Sequence, residues 1–387
     1  MSQIATDLLS FRQRKSLLAK LRLGAKSTQS VTRYINAVAT GSEFPVHGLT
    51  IAVFTDIENE GNGRRGAKMG GFHSKFGGLW IDSLDREWVN CKLSTISDPA
   101  LRQDVRTFID KGYVVLNGAV SSSRIDAYLE EYEASADMPE FLQIAAPDGR
   151  KSFSRAESLK PGSRVLDTGM LLPSGEELSF APKISAFLET IFEEKSLAFQ
   201  TLHFEVGSTQ DVHQDTAFVV IKQEPLKLIA SWIALEDIES GSGELIYYPG
   251  GHRIKEYSYA NGTSKHWFSE RDGHEAHQAH YRHLQDEAAR LGLALARFAP
   301  KKGDALLWHA ELPHGGGEIT IPGRSRRSLV THYCPKSLEP VYWDFIPADW
   351  RNKVEARGGN AFTSYYFPPT QFAGGKQQPG WRVRIAS

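Results

Sequence analysis

Val212-His213-Gln214-Asp215-Thr216, inside the longer run Phe199 to Val220, is the stretch on which the reading of this chain turns. On an extended strand, residues two apart face the same way, so His213 and Asp215 project side by side. An imidazole and a carboxylate held like this are two of the three facial ligands of a non-haem Fe(II). That 2-His-1-carboxylate arrangement leaves three coordination positions open. An HxD triplet occurs by chance in many chains of this size, and its weight depends on a third ligand and an anion-binding group downstream.

Both follow. The segment LLWHAELPHGGGEI offers His309 and His314. His314 precedes Gly315-Gly316-Gly317, where the missing side chains let a cofactor approach the backbone, and it is the expected third ligand. His309 directly follows the strand-like Ala305-Trp308 and suits a satisfied core position or one beside the ligands. Next comes Arg324-Ser325-Arg326-Arg327-Ser328-Leu329-Val330-Thr331-His332-Tyr333. Arg326 and Ser328 share a strand face, and a guanidinium fork with a hydroxyl matches a carboxylate deep in a barrel, because Arg stays charged when buried.

Around these residues the period is that of strands. Ala198-Val206, Asp211-Val220, Leu226-Leu235, Glu244-Tyr248, Ala305-Trp308 and Ser328-Tyr333 read as β-runs separated by Gly, Pro and Ser. They imply an all-β sandwich or barrel decorated by helices. Helices are expected from Asp98 to Lys111 and from Ser122. A third runs from Pro182 to Glu194, with Ile184, Phe187, Leu188 and Ile191 on one side. Residues 145–178 are turn-rich with little periodicity. Residues 263–296 read as a helix inserted in the β-core at about 255–300. Its His266, His274, His277, His280 and His283 form a stripe that could hold a metal, but without matching carboxylates a solvated face is the expectation.

Composition sets the outer bounds. At 387 residues the chain makes one large or two medium domains, and 41% hydrophobic with 24% charged residues is ordinary for a globular protein. A net charge of −1 gives no whole-chain attraction to nucleic acid or membrane. No apolar run reaches the roughly 18 residues of a membrane span, and the N-terminus does not read as a secretory signal. Cys91 and Cys334 exclude a disulfide framework and suit a reducing cytoplasm. Residues 1 to about 40 carry Leu8, Leu9, Phe11, Leu17, Leu18 and Leu21 at helical spacing among basic residues. This pattern suits a membrane surface or, as expected here, a helix packed on the protein. The Gly-rich run 59–78 lacks P-loop spacing and reads as an ordinary loop.

In order, FIDKGYVVLNGAV, GSTQDVHQDTAF, SWIALEDIESGSGELIYYPGGHR, GDALLWHAELPHGGGE and RRSLVTHY resemble the phytanoyl-CoA dioxygenase family of Fe(II)/2-oxoglutarate oxygenases, over roughly 105 to 335. The resemblance implies a mainly β fold with α decoration: a double-stranded β-helix (jelly-roll, cupin-like) core with N-terminal helices and an inserted helix. It implies Fe(II) on His213, Asp215 and His314, and 2-oxoglutarate on Arg326, with Gln214 and Trp232 near the cosubstrate. A hydroxyl residue often found two places after the distal His is Gly316 here, and Ser328 is the candidate replacement. The implied reaction uses O2 and gives succinate and CO2. Asp215 points to hydroxylation rather than halogenation, because halogenating members have a small residue there. The domains expected are an N-terminal extension, 1–100, and an oxygenase domain, 101–387, acting on a small-molecule substrate with no nucleic acid. The rival is a cupin-like barrel that binds metal or ligand without oxygenase activity.

Overall fold

The structure, a computed structural model, describes residues 74–136, 141–146 and 149–372, all within one compact unit. The expected helix at 1–40 and the Gly-rich run up to residue 73 lie outside the described residues. Helix α1 (Arg86–Ser94) precedes α2 (Pro99–Lys111). Asp98 caps α2 by accepting from the Ala100 and Leu101 amides, and Gly112, at φ 74°, ends it in the left-handed conformation that glycine tolerates. Val105, Phe108 and Ile109 form the apolar face of α2. Phe108 meets Phe187 of the later helix α4 (Pro182–Phe192) edge-on, with ring centroids 5.2 Å apart. Between them lies α3 (Ser122–Ala136). Leu79, Trp80, Val89 and Leu93 belong to the same core cluster as Phe108, so the core takes in residues that the sequence assigned to the N-terminal extension.

The strands are β1 (Tyr113–Leu116), β2 (Gln143–Ala146), β3 (Gly149–Ser152), β4 (Arg164–Leu166), β5 (Ser196–Phe204), β6 (Ile229–Ala234) and β7 (Leu245–Tyr247). They continue with β8 (Ala296–Phe298), β9 (Ala305–His309), β10 (His314–Gly316), β11 (Ser328–Pro335), β12 (Val354–Glu355) and β13 (Ala361–Phe362). The larger sheet runs β1-β9-β6-β11-β5-β4-β2-β3 and the smaller β10-β7-β8. Pairing is antiparallel apart from β13 on β5. Phe204, Trp232, Trp308 and Val330 from the large sheet meet Leu245, Tyr247 and Phe298 from the small one in a single apolar cluster. Alternate residues of the large sheet, Ile229, Ile233, Leu307, Leu329 and Tyr333, turn the other way into the cluster that includes the helices. This is the expected mainly β jelly-roll core with helices on one outer face.

Several expectations need correction. Asp211–Val220 is not a strand: His213 makes an isolated bridge to His314, and Asp215–Ala217 winds into a 3-10 turn. The inserted helix is shorter than its sequence pattern, α5 (Ser269–Arg290). Its histidine stripe is not a solvated face, because His277 and His280 are buried. The segment 145–178 supplies β3, β4 and part of β2. Beyond the last long strand, Trp343 and Phe367 are buried in the body of the protein.

Candidate metal and cosubstrate site

The centre is built on one β-bridge. His213 and His314 exchange both backbone bonds, His213 N to His314 O at 2.8 Å and His314 N to His213 O at 3.0 Å. Directly opposed residues put their side chains on one face, and the two imidazole centroids are 4.5 Å apart. Gln214 is extended (φ −106°, ψ 138°), which brings Asp215 to the same side as His213. The alternation read from the sequence thus holds for the triplet although the strand does not continue. Asp215 Oδ1 lies 3.8 Å from His213 Nε2 and 3.5 Å from His314 Nε2, and the three donor atoms all fall within 4.8 Å of one another.

The donor set fits a divalent transition metal. His213 Nδ1 bonds Asp211 O at 2.8 Å and His314 Nδ1 bonds Leu312 O at 2.9 Å. A carbonyl can only accept, so each Nδ1 carries the proton and each Nε2 keeps its lone pair, that of His213 accepting from the Gln210 amide in the metal-free protein. Burial pushes the His213 pKa down to about 3, with His314 adding to the effect and Asp215 opposing it. Burial alone would raise the Asp215 carboxyl, but His314, His332 and His213 outweigh it and hold it well below the usual carboxylate range. Trp308 Nε1 donates to Asp215 Oδ2 at 2.7 Å, which leaves Oδ1 directed at the imidazoles. Ligand bonds of about 2.0–2.2 Å let one ion span donors up to roughly twice that distance apart.

Arg326 lies alongside and is 2% exposed. Its Nε donates to Gly243 O at 3.0 Å and its Nη1 to Ser328 Oγ at 2.9 Å. The guanidinium faces Phe204 and Trp232, with its carbon 5.1 and 5.5 Å from their ring centroids. Burial lowers its pKa to about 10, so it stays charged at neutral pH. Trp232 Nε1 is buried with no protein partner among the described residues. A charged fork and an orphaned indole N–H are donors suited to a carboxylate.

Gln214 departs from the expectation of a cosubstrate contact. Its amide nitrogen donates to Glu311 O at 2.8 Å and its Oε1 meets His280 Nε2 at 3.0 Å. His309 is a core residue, accepting the Glu311 amide at 3.1 Å and lying 3.3 Å from Asp82. The glycines after His314 serve the chain itself: a Cβ at Gly315 would stand 2.7 Å from Gln210 O, and one at Gly316 would stand 2.4 Å from Ser208 Oγ.

Three residues went unread. His332 Nε2 lies 3.7 Å from Asp215 Oδ1, and its Nδ1 has no partner among the described residues; alternation from Arg326 through Ser328 and Val330 would have found it. Arg164 donates to Gln210 Oε1 at 2.7 Å and sits over Phe204 at 5.9 Å, and Gln210 in turn meets His213 Nε2 at 3.2 Å. No periodic signal marks either Arg164 or Gln210.

A family model, "Phytanoyl-CoA dioxygenase (PhyH)", matches residues 108–328, more than half of the chain. The chain belongs to the phytanoyl-CoA dioxygenase family. It is therefore a non-haem iron oxygenase dependent on 2-oxoglutarate, as the five ordered motifs imply. Among relatives, peroxisomal phytanoyl-CoA dioxygenase of Rattus norvegicus is 23% identical over 62% of this chain and 70% of its own. Phytanoyl-CoA dioxygenase domain-containing protein 1 of Danio rerio is 25% identical over 65% of this chain and 95% of its own. Among solved structures, the epimerase SnoN in complex with Fe3+, alpha ketoglutarate and nogalamycin RO aligns at 18% identity. That alignment has a TM-score of 0.46 and covers 63% of this chain and 87% of SnoN.

Proposed function

We propose that this oxygenase hydroxylates an unactivated C–H of a small or medium-sized metabolite, with His213, Asp215 and His314 holding Fe(II) and Arg326 anchoring 2-oxoglutarate. The observation that carries the reading is the His213–His314 bridge. It aims two Nε2 lone pairs and Asp215 Oδ1 at one point, while each Nδ1 is tied to a carbonyl. Iron, when held by these three residues, would supply the chemistry of oxidative decarboxylation of 2-oxoglutarate with O2, to succinate and CO2, coupled to oxidation of the substrate C–H.

The chain's own residues do the rest. Trp308 engages one Asp215 oxygen and leaves the other as the metal donor. Arg326, with Ser328 at its side and Trp232 against its face, takes the far carboxylate bidentately. Trp232, Trp308, Phe204 and Val330 pack together in one apolar cluster, which would limit water around a reaction at the centre. Asp215 fills the coordination position that a halide would need, which favours hydroxylation. Cys91 and Cys334 are both free, in keeping with a reducing compartment. No described helix is long and apolar enough to cross a membrane.

The test is a metabolite panel scored by succinate release, with Asp215→Ala as the blank. A substrate should raise succinate release by the wild type, with the blank at background. Release by Asp215→Ala equal to wild type would remove Asp215 from the mechanism.

A further inference from the structure

The histidine-bearing insertion docks on the outside of the HxD turn at three places. His280, 2% exposed on α5, meets Gln214 Oε1 through Nε2 at 3.0 Å. Lys265 pairs with buried Glu311, whose other oxygen accepts from Thr216 Oγ1. Trp267 N donates to Ala217 O at 3.1 Å.

The direction of the first contact is fixed by its neighbours. Gln214 Nε2 donates to a backbone carbonyl, Glu311 O, so Oε1 is the acceptor and His280 Nε2 must carry the proton. In the neutral ring Nδ1 is then a lone pair, and it accepts the Tyr259 hydroxyl at 2.7 Å. Tyr257 stacks on the same ring at 4.6 Å and 12°, fixing its plane. The polarity runs one way, Tyr259 to His280 to Gln214 to Glu311 O. Gln214 lies between His213 and Asp215, so its backbone dihedrals set how those two side chains are disposed to one another.

We propose that His280 is a positioning residue for the metal centre, acting through Gln214 to hold the turn that aims His213 and Asp215. This rests on the assignment of those two residues and His314 as the metal ligands. The insertion is then part of the metal site's support, and its sequence bears on metal affinity with no residue of its own touching the ion.

The experiment compares His280→Asn with His280→Gln in the full chain. An Asn amide occupies the place of Nδ1 and keeps Tyr259, whereas a Gln amide reaches the place of Nε2 and can donate to Gln214. Mn(II) affinity is measured without air by electron paramagnetic resonance, alongside the melting temperature of the metal-free protein. Outer partners of a metal site contribute roughly 10–100-fold to affinity. His280→Asn should weaken Mn(II) binding by about tenfold or more with the metal-free melting temperature held. His280→Gln should return to within about threefold of wild type. Wild-type affinity in His280→Asn overturns the proposal, as does an equal loss in both variants. If wild type itself binds no Mn(II), the metal assignment fails first and takes this proposal with it.

Discussion

Replacing Arg326 by Met separates a site built for an anion from one built for stability. Of the five N–H groups of a guanidinium, Gly243 O and Ser328 Oγ take one each, and no described residue takes the other three. The side chain is buried with no carboxylate bonded to it, an arrangement whose desolvation cost internal contacts do not recover. Met at this position loses two hydrogen bonds worth about 1 kcal/mol each, and relieves a buried charge whose apolar replacement is often neutral or stabilising by about 1–4 kcal/mol. The metal-free protein should therefore melt at or above the wild-type temperature. Cosubstrate binding should respond in the opposite direction. Truncating one partner of a buried, hydrogen-bonded charge pair costs about 2–5 kcal/mol, or roughly 30-fold to several thousand-fold in Kd. With Mn(II) present and air excluded, 2-oxoglutarate at 100 times its wild-type Kd stabilises the folded state by about 2.7 kcal/mol. After a hundredfold loss of affinity the same concentration gives about 0.4 kcal/mol, and the melting shift nearly vanishes. A full shift in Arg326→Met would refute the role given to the guanidinium. A large fall in metal-free stability would show that Arg326 is a structural tie.

The remaining expectations concern the support of the centre. Lys265→Met leaves Glu311 buried without its cation, and should lower unfolding free energy by about 3–5 kcal/mol in urea; a loss under 1 kcal/mol would mean that Thr216 and solvent suffice. Gly315→Ala puts a methyl 2.7 Å from Gln210 O and 3.1 Å from Val212 N. It should push the 210–212 backbone off β10 and weaken Mn(II) binding, and unchanged affinity would show that the loop adjusts freely. Burial lowers His213 to about 3 and His266 and His277 to about 4. The folded state keeps these rings neutral while the unfolded chain protonates them near 6.5, so their contribution is complete above that pH and declines as pH falls towards 4. The urea midpoint of the metal-free protein should begin to drop between pH 7 and 5, before carboxylates titrate, and a flat midpoint there would contradict it.

What the sequence disclosed was whatever depends on near neighbours. His213 and Asp215 are two apart, and Arg326 and Ser328 two apart, so alternation placed each pair without any tertiary knowledge. His314 was separable from His309 by its flanking glycines, and those glycines accommodate the 208–212 segment at close range. The strand expected over Asp211–Val220 failed because a single bridge orders it, after which Trp267, far along the chain, takes the Ala217 carbonyl. The histidine stripe was misread for a related reason. A period of three or four marks one face of a helix but not what covers it, and His280 is covered by Tyr257, Tyr259 and Gln214. Arg164 sits on a three-residue strand, too short to show a period.

The charges of the centre also fix an order of binding. In the metal-free protein the convergence point holds one carboxylate, Asp215, whose Oδ1 faces His314, and on the proposed reading the keto-acid end of 2-oxoglutarate would come beside it. Two carboxylates about 4 Å apart repel by on the order of 4 kcal/mol at an effective dielectric of 20. The His213 ring adds no positive charge to offset this, because burial keeps it neutral throughout the physiological range. A divalent cation held by His213, Asp215 and His314 would turn this repulsion into attraction, so metal should come first. By linkage, 2-oxoglutarate must then tighten the metal by the same factor that the metal tightens 2-oxoglutarate. Titrating each in the presence and absence of the other, without air, should give two equal coupling factors of at least about thirtyfold. Arg326→Met should weaken 2-oxoglutarate while leaving that factor largely intact, because the repulsion arises at the opposite end of the cosubstrate. Equal affinity for 2-oxoglutarate with and without Mn(II) would show that the anion is held by Arg326 alone and does not reach the ion.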